Sequence, residues 1–258
     1  MKKHKIIYWF TLLVWGVNFL FPLSVFKASG QEKEWTRMSG YTTYYDENRV
    51  GRSENIRLAA SYIDGIIVQA YGEFSFNQTV GERSEERGFK EAKVIVEGKF
   101  VLGVGGGVCQ VSTTLYNAAL YAGIIVTEYH PHSLAVGYVP PSQDAMVSSV
   151  CDFRFFNPYD FPVRIEMTAG EGALKARFYG EKVGSKWEVS SRVTGWIEPP
   201  EPLVVSGEKE GILQEAKSGI TSESYLERYR DGVLISRKLL RKDAYAPTRG
   251  IIIKKSPL

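Results

Sequence analysis

The sequence predicts an α+β protein with a mostly antiparallel sheet and two main helices, followed by a small all-β module. Two stretches carry apolar residues at helical spacing, and most other segments are short runs of strand-forming residues between turn signals. A proline-rich segment, Glu198 to Pro202, marks a boundary. The predicted divisions are a leader over residues 1–30, a main domain over 31–195 and a module over 196–258.

The first half of the chain begins with polar, tyrosine-rich residues 31–52, which predict an irregular segment or an edge strand. Asn55 is expected to cap the first helix, because its side chain can accept a hydrogen bond from the free N–H groups of a first turn. The apolar positions of that helix, from Ile56 to Ile67, recur at helical spacing. Short strands are predicted at residues 73–77, 92–96 and 100–102.

The second helix follows a glycine-rich loop and carries one apolar stripe, formed by Val111, Leu115, Ala118, Ala119 and Ala122. Gly123 is suited to end this helix, since glycine readily adopts the left-handed conformation found after many helices. Further strands are predicted at residues 124–129, 146–150, 151–156, 163–168 and 174–179, the last two as a hairpin.

In the C-terminal module, Asp231-Gly232 is a strong signal for a tight turn between two strands. Those strands are predicted at residues 222–229 and 233–239, and another at 251–253. The module is short for an independent core, so we expect it to lean on the main domain.

The leader predicts export. Lysines at positions 2, 3 and 5 precede an uncharged run from Ile6 to Phe26, and about 20 apolar residues suffice to cross a bilayer. Ala28-Ser29-Gly30 is typical of a cleavage site, so the leader is either a removed signal peptide or a retained transmembrane anchor. In both cases the lysines stay inside and the remainder is exported.

The positive charge of the chain comes from this leader. The formal net charge is +3, and the leader contains four lysines and no acidic residue, so the rest of the chain has a net charge of −1. The exported part therefore lacks the basic excess that is typical of nucleic-acid binding.

The most informative segment is the glycine-rich loop at residues 103–107, which places Cys109 in the first turn of the second helix. Unpaired N–H groups of a first turn favour negative charge and lower the pKa of a thiol, and those near Gly107 or Cys109 can stabilise an oxyanion. A thiol, an imidazole and a carboxylate together make a cysteine nucleophile. The candidate catalytic residues are Cys109, His130, His132, Asp144 and Asp152, and the candidate substrate-binding residues are Gly105, Gly106, Gly107, Gln110, Ser112 and Thr113.

Other interpretations of these residues stay open. Cys109 and Cys151 form a disulfide if the exported part meets an oxidising environment, and Cys109 is then structural. Zinc binding by Cys109, the histidines and an aspartate is not favoured, because the spacing lacks a paired-ligand signature. The loop also lacks the Lys-Ser/Thr of a phosphate-binding loop. We therefore predict neither a metal nor a cofactor.

Several motifs together resemble the VanW-like family, namely Gly72 to Asn77, Val80-Gly81, Gly105 to Asn117, His130 to Ser133, Tyr138 to Pro140, Asp144-Ala145, and Asp152 with Phe155 and Asn157. Members are exported or membrane-anchored proteins, common in Gram-positive bacteria and named after an accessory vancomycin-resistance protein. The resemblance covers about residues 53–180. One departure is Tyr71-Gly72, where the family usually has a proline-glycine pair.

The tail resembles a short or degenerate G-five domain, a module thought to adhere to cell-wall glycans. The resemblance is carried by Ile197 to Pro200, Gly207, Gly219, Tyr229 to Gly232 and Tyr245 to Pro247. Three tyrosines are candidate stacking faces for sugar rings, at positions 225, 229 and 245.

The resemblance implies a place in the cell envelope but no settled reaction. We expect an exported protein with an accessory or cell-wall-binding role. Its expected partners are cell-wall glycan or peptide and, through the leader, the cytoplasmic membrane, but not nucleic acid. The alternative is a cysteine-dependent hydrolase or transferase with a Cys-His-Asp site, acting on an amide of peptidoglycan peptides or of another envelope component.

Overall fold

The computed structural model describes residues 35–96, 98–207 and 209–255. The predicted leader lies outside these residues. Within them, no helix has both the length and the apolar character needed to cross a membrane. Two helices of 14 residues each accompany a much larger number of strands, so the α+β class holds in outline with more weight on the sheets.

The helices are α1 (Val50–Ile63), α2 (Phe76–Val80) and α3 (Val108–Tyr121), with a 3-10 turn at Glu85–Arg87. The strands of the main domain are β1 (Thr36–Tyr44), β2 (Ile67–Val68), β3 (Glu73–Ser75), β4 (Glu91–Val96), β5 (Lys99–Val104), β6 (Ile125–Glu128), β7 (Arg154–Phe156), β8 (Val163–Gly170) and β9 (Ala173–Gly180). The later strands are β10 (Lys186–Ile197), β11 (Leu203–Gly207), β12 (Gly211–Gln214), β13 (Gly219–Arg230), β14 (Val233–Tyr245) and β15 (Ile251–Lys255).

The core lies between the two long helices and an antiparallel sheet of order β1-β9-β8-β2. Helix α1 contacts β8, α3 contacts β1 and β9, and the helices contact each other, so both cover the same face. Leu115 and Phe178 are fully buried there, and burial of such a side chain stabilises the fold by about 1.5–3 kcal/mol. Helix α3 is buried along nearly its whole length, which fixes the position of its N-terminus.

Several predicted elements are confirmed. The hairpins β4–β5, β8–β9 and β13–β14 form in antiparallel register, and β1 is an edge strand. Asp231 and Gly232 both have positive φ, as the predicted tight turn requires. Gly123 follows α3 with a φ of 72°.

Several predictions about local structure are wrong. Ile67, predicted on the first helix, lies on β2, because α1 ends at Ile63. Helix α1 begins at Val50, and Asn55 lies buried within it, where its side chain binds the carbonyl oxygens of Lys90 and Gly106 instead of capping the helix. The strand from Glu73 stops at Ser75, because the hydroxyl of Ser75 caps α2. Residues 146–150 form no strand, since the backbone there binds loop partners.

The C-terminal strands are continuous with the main domain. Strand β10 runs across the predicted boundary between residues 195 and 196 and pairs with β13 along its length. Strands β10, β13 and β14 make one antiparallel sheet, and β11, β15 and β12 make a smaller one in which β11 and β15 are parallel. Ser222 on β13 is hydrogen-bonded to Ser142 of the main domain, so the C-terminal module is in contact with the main domain.

Candidate functional site

The glycine-rich loop makes a tight turn that positions Cys109 at the start of α3. Gly107 has a φ of 109°, a left-handed conformation that residues with a Cβ rarely adopt. A Cβ on Gly106 would lie only 2.7 Å from the carbonyl oxygen of Lys93, so only glycine fits there. Cys109 is consequently the second residue of α3.

Cys109 is a free, partly exposed thiol. Its Sγ lies 3.3 Å from the carbonyl oxygen of Val147, and the neighbouring His132 imidazole lowers the pKa of its thiol. The backbone N–H of Cys109 has no hydrogen-bond partner among the described residues, whereas the N–H of Gln110 binds Gly107. That free N–H is a donor available to a ligand beside the sulfur.

His132 is held by Asp144 through two hydrogen bonds. Nδ1 of His132 is 2.6 Å from Oδ2 of Asp144, and the backbone N–H of His132 donates to the same oxygen at 2.7 Å. His132 is only 6 % exposed and Asp144 1 %. Because Nδ1 is engaged by the carboxylate, Nε2 is the ring nitrogen left for the thiol.

The C-terminal module holds the other oxygen of Asp144. Nη2 of Arg241 donates to Oδ1 at 3.0 Å and the Tyr245 hydroxyl donates to it at 2.5 Å. Arg241 also donates to the backbone carbonyl of Asp144 at 2.6 Å and pairs with Asp243. The carboxylate therefore has charged and neutral donors on both oxygens, a network that fixes its orientation.

The pKa values of the inner triad, as we call Cys109, His132 and Asp144, favour an ion pair. Burial by itself would raise the pKa of the Cys109 thiol, but the hydrogen bond and charge of His132 outweigh it and the pKa is lowered. Burial would lower the pKa of His132, yet the hydrogen bonds with Asp144 and Cys109 raise it to about 9. For Asp144, His132 and then Arg241 outweigh burial and lower the pKa. The lowered pKa of the thiol and the raised pKa of the imidazole both favour a thiolate beside an imidazolium.

The inner triad opens into a cleft of ≈ 1270 Å³. Cys109, His132 and the predicted binding residues Gly105, Gly106, Gly107 and Gln110 all line it. Its other walls include Arg52, Arg83, Tyr138 and the β4–β5 hairpin with Phe100. A cleft of this size is large enough for a peptide-sized ligand.

The remaining predicted binding residues serve the loop that carries Asp144. Ser112 and Thr113 are buried, and their hydroxyls bind the backbone of Ala145. Gln110 donates to Thr43 and accepts from Arg52, so its amide is satisfied internally. Ser112 and Thr113 therefore hold the loop against α3, and only Gln110 among the three lines the cleft.

The other predicted catalytic residues lie in a second cluster, called here the outer group, consisting of His130, Cys151 and Asp152. Nε2 of His130 is 2.9 Å from Glu128, and both side chains are about one-third exposed. Asp152 accepts from the Ser75 hydroxyl at 2.6 Å and from the N–H groups of Asn77 and Phe153. Cys151 is a free thiol, like Cys109.

Sequence reasoning missed the basic and phenolic members of the site. Arg241 and Tyr245 lie about 100 residues from Asp144 along the chain, and no sequence motif connects them to it. Tyr245, considered from the sequence as a sugar-stacking face, is 1 % exposed and therefore wrong for that role. The ring of Tyr225 is also covered, by Arg237 at 4.2 Å from its centroid.

Fold and site together define an α+β protein in which a cysteine and a histidine line one cleft and an aspartate holds the histidine from behind. The chain belongs to the family described as VanW like protein, whose model matches residues 51–179. That range contains the inner triad, whereas Arg241 and Tyr245 lie beyond it.

Two curated relatives are similar to this chain. An uncharacterized protein of Bacillus subtilis, YoaR, is 42% identical over 148 residues, which are 57% of this chain and 49% of that protein. The vancomycin B-type resistance protein VanW of Enterococcus faecalis is 25% identical over 150 residues, covering 56% and 54% of the two chains. The chain thus aligns with about half the length of each relative.

Two solved structures of G5 domains were also found. The G5 domain of IgA1 protease is 18% identical and covers 30% of this chain and 96% of its own, with a TM-score of 0.21. The G5 domain of HP0197 is 19% identical and covers 29% and 99%, with a TM-score of 0.17. These scores are too low to assign a fold to any part of the chain.

Proposed function

We propose that the protein is a cysteine-dependent hydrolase or acyltransferase that acts on an amide of the cell envelope. The observation that carries this proposal is the inner triad at the base of the cleft. The sequence alone favoured an accessory or cell-wall-binding role over catalysis. The hydrogen-bonded chain from Arg241 through Asp144 to His132, which lowers the pKa of the Cys109 thiol, reverses that preference, because a purely structural cysteine needs no such support.

In the proposed reaction, the Cys109 thiolate attacks the acyl carbon of an amide. The negative charge that develops on the acyl oxygen is stabilised by the free N–H of Cys109. His132 gives its Nε2 proton to the leaving nitrogen, the carbon–nitrogen bond breaks, and a thioester remains on Cys109. Water or an acceptor amine then attacks the thioester while His132 takes up its proton. The carbon–sulfur bond breaks, which releases an acid or a new amide and restores the thiolate–imidazolium pair.

Asp144 is a positioning residue in this scheme. It keeps Nδ1 protonated and the ring turned so that Nε2 faces the sulfur. Arg241 and Tyr245 in turn keep Asp144 ionised and oriented. The acid therefore stabilises the imidazolium at each stage without itself taking up a proton.

The envelope location is part of the proposal. It is supported by the predicted leader, by membership of the VanW-like family, and by the naming of one relative as a vancomycin resistance protein. Amide bonds of peptidoglycan peptides are the substrates that this location would supply. Whether the leader is cleaved does not affect the chemistry.

The test is to incubate the purified protein with peptidoglycan fragments and to measure its intact mass after rapid acid quenching. We expect an adduct on Cys109 whose mass equals that of an acyl fragment, together with new free amines in the fragments. Cys109→Ala should give neither, and Cys151→Ala should give both. Equal product from the wild type and Cys109→Ala would refute the proposal.

A second proposed role, cell-wall binding, concerns the C-terminal module. It is favoured by Trp196 on β10, whose side chain is 72% exposed and offers the kind of aromatic face on which sugar rings stack. We expect the full chain to co-sediment with purified cell walls and Trp196→Ala to weaken that binding. Unchanged sedimentation of Trp196→Ala would exclude this face as the binding surface.

A further inference from the structure

Two arginines flank the glycine-rich loop that precedes Cys109. Arg52 comes from α1, and a Cβ on Gly107 would lie 3.0 Å from its Cγ. Arg83 comes from the segment after α2, and a Cβ on Gly105 would lie 3.0 Å from its Cβ. Both arginines line the cleft with Cys109, and both are half-buried.

Neither arginine forms an ion pair with a carboxylate in the described part of the chain. Arg52 donates to the neutral amide of Gln110 at 2.6 Å. Arg83 donates to the backbone carbonyls of Gly81 and Ser148. Burial lowers the pKa of both guanidinium groups, which remain charged because arginine titrates far above neutral pH. Two half-buried cations without a partner of opposite charge are costly to keep.

The acidic groups near these arginines do not neutralise them. Asp152 attracts Arg83 electrostatically, but its oxygens are bonded to Ser75 and Asn77. The other negative group that acts on both arginines is the Cys109 thiolate. During acyl transfer this thiolate loses its charge, so the arginines would be left without even that partner unless the substrate brings one.

We infer that the acyl substrate carries a carboxylate next to the bond that Cys109 attacks, and that Arg52 and Arg83 bind this carboxylate. The inference rests on the proposed function and adds the charge of the substrate. A guanidinium group binds a carboxylate through two parallel hydrogen bonds, which also fixes its orientation. Two such groups on either side of the nucleophile select acidic peptides over neutral ones.

The charge preference can be measured without knowing the substrate, using iodoacetate and iodoacetamide. Both reagents alkylate a thiolate with loss of iodide, and they differ in carrying a carboxylate or a neutral amide. The ratio of the two rates at Cys109 is therefore independent of how much thiol is ionised. The neutral thiol N-acetylcysteine amide gives the reference ratio, and Cys151→Ala removes the other cysteine.

At low ionic strength we expect the iodoacetate-to-iodoacetamide ratio at Cys109 to exceed the reference about ten-fold or more, since charges a few ångströms apart interact strongly in a partly buried site. Part of this excess comes from the His132 imidazolium. Arg52→Gln with Arg83→Gln should remove the larger part of this excess, and salt should reduce the ratio in the wild type. Arg49→Gln, an exposed cation of the same cleft, is the matched control and should change it less than two-fold.

The outcomes separate the two proposals. If Cys109 reacts fast with iodoacetamide but its ratio equals the reference, or is unchanged in the double variant, the carboxylate inference is overturned while the nucleophile survives. If Cys109 reacts no faster than the reference thiol with either reagent, both are overturned. Should the double variant not fold, the two single variants must each lower the ratio for the inference to stand.

Discussion

The inner triad and the outer group contain the same three residue types, yet they differ in burial and in hydrogen bonding. Each has a cysteine, a histidine and an aspartate, and the histidines are only two positions apart. In the inner triad, His132 and Asp144 are almost completely buried and bonded to each other. In the outer group, His130 is one-third exposed and pairs with Glu128, while Asp152 holds the first turn of α2.

The difference teaches that burial with complete hydrogen bonding, rather than residue type, marks the site. An exposed pair such as His130 and Glu128 is screened by water and contributes little. A buried carboxylate needs partners, and Asp144 obtains them from another part of the chain. Four predictions test this contrast, beginning with the largest expected effect.

Replacing the buried Arg241 should lower the stability of the protein more than any of the other changes. Arg241→Met leaves the buried carboxylate of Asp243 without its cation and Asp144 with His132 but without the arginine, so we expect the free energy of unfolding to fall by about 3–5 kcal/mol. Arg154→Met removes the partly exposed arginine that pairs with Glu73 near the outer group, and should cost less than about 1 kcal/mol. Urea denaturation measures both, and equal losses would contradict the contrast.

Replacing the two histidines should separate the groups by reactivity. His132→Ala removes the imidazolium that stabilises the Cys109 thiolate, so alkylation of Cys109 by iodoacetamide at pH 6.5 should slow by roughly 10–100-fold. His130→Ala should leave the rate within a factor of two. Peptide mapping after timed labelling assigns each rate. A similar effect of both substitutions would show that His132 does not stabilise the Cys109 thiolate more than His130 does.

The pH dependence should identify the ion pair. Because the pKa of Cys109 is lowered, its alkylation rate should rise at a pH below that of an ordinary thiol. It should change again near pH 9, where His132 loses its proton. Asp144→Asn removes a charge that raises the pKa of His132, so the upper transition should move down by about one pH unit or more. Asp152→Asn should leave it in place, and a shift there of equal size would link the two groups.

The smallest effect is expected at the outer cysteine. Cys151→Ser should change neither the alkylation rate of Cys109 nor, by more than about 0.5 kcal/mol, the free energy of unfolding, because Cys151 is free and its backbone makes the bonds that hold its loop. Thermal denaturation and timed labelling check this. A large change in either quantity would mean that the Cys151 side chain stabilises the inner triad or the fold.

Much of the fold could be predicted from local patterns. Periodicity located α3 and the three hairpins, since the amphipathic pattern and turn residues act over a few neighbouring residues. Helix α1 was misplaced because Asn55 is a good cap in isolation but is used here to bind Lys90 and Gly106. Such a long-range use of a polar side chain overrides its local preference.

The site was only half predictable. The glycine-rich loop and the helix start pointed to Cys109, because both act through the backbone of adjacent residues. The choice between His130 and His132, and between Asp144 and Asp152, could not be made, as each pair is separated by few residues and has the same chemistry. Arg241 gave no signal at all, since its partner lies 97 positions away.

By itself, the sequence determined that a cysteine stands at the first turn of a buried helix, because helix starts and glycine turns depend on neighbouring residues alone. Only the tertiary structure decided which histidine and which aspartate accompany that cysteine, and that β14 supplies the arginine and tyrosine that hold the acid. The physical reason is that burial and hydrogen-bond partners arise from contacts between distant segments, and these contacts set the charge and orientation of each group.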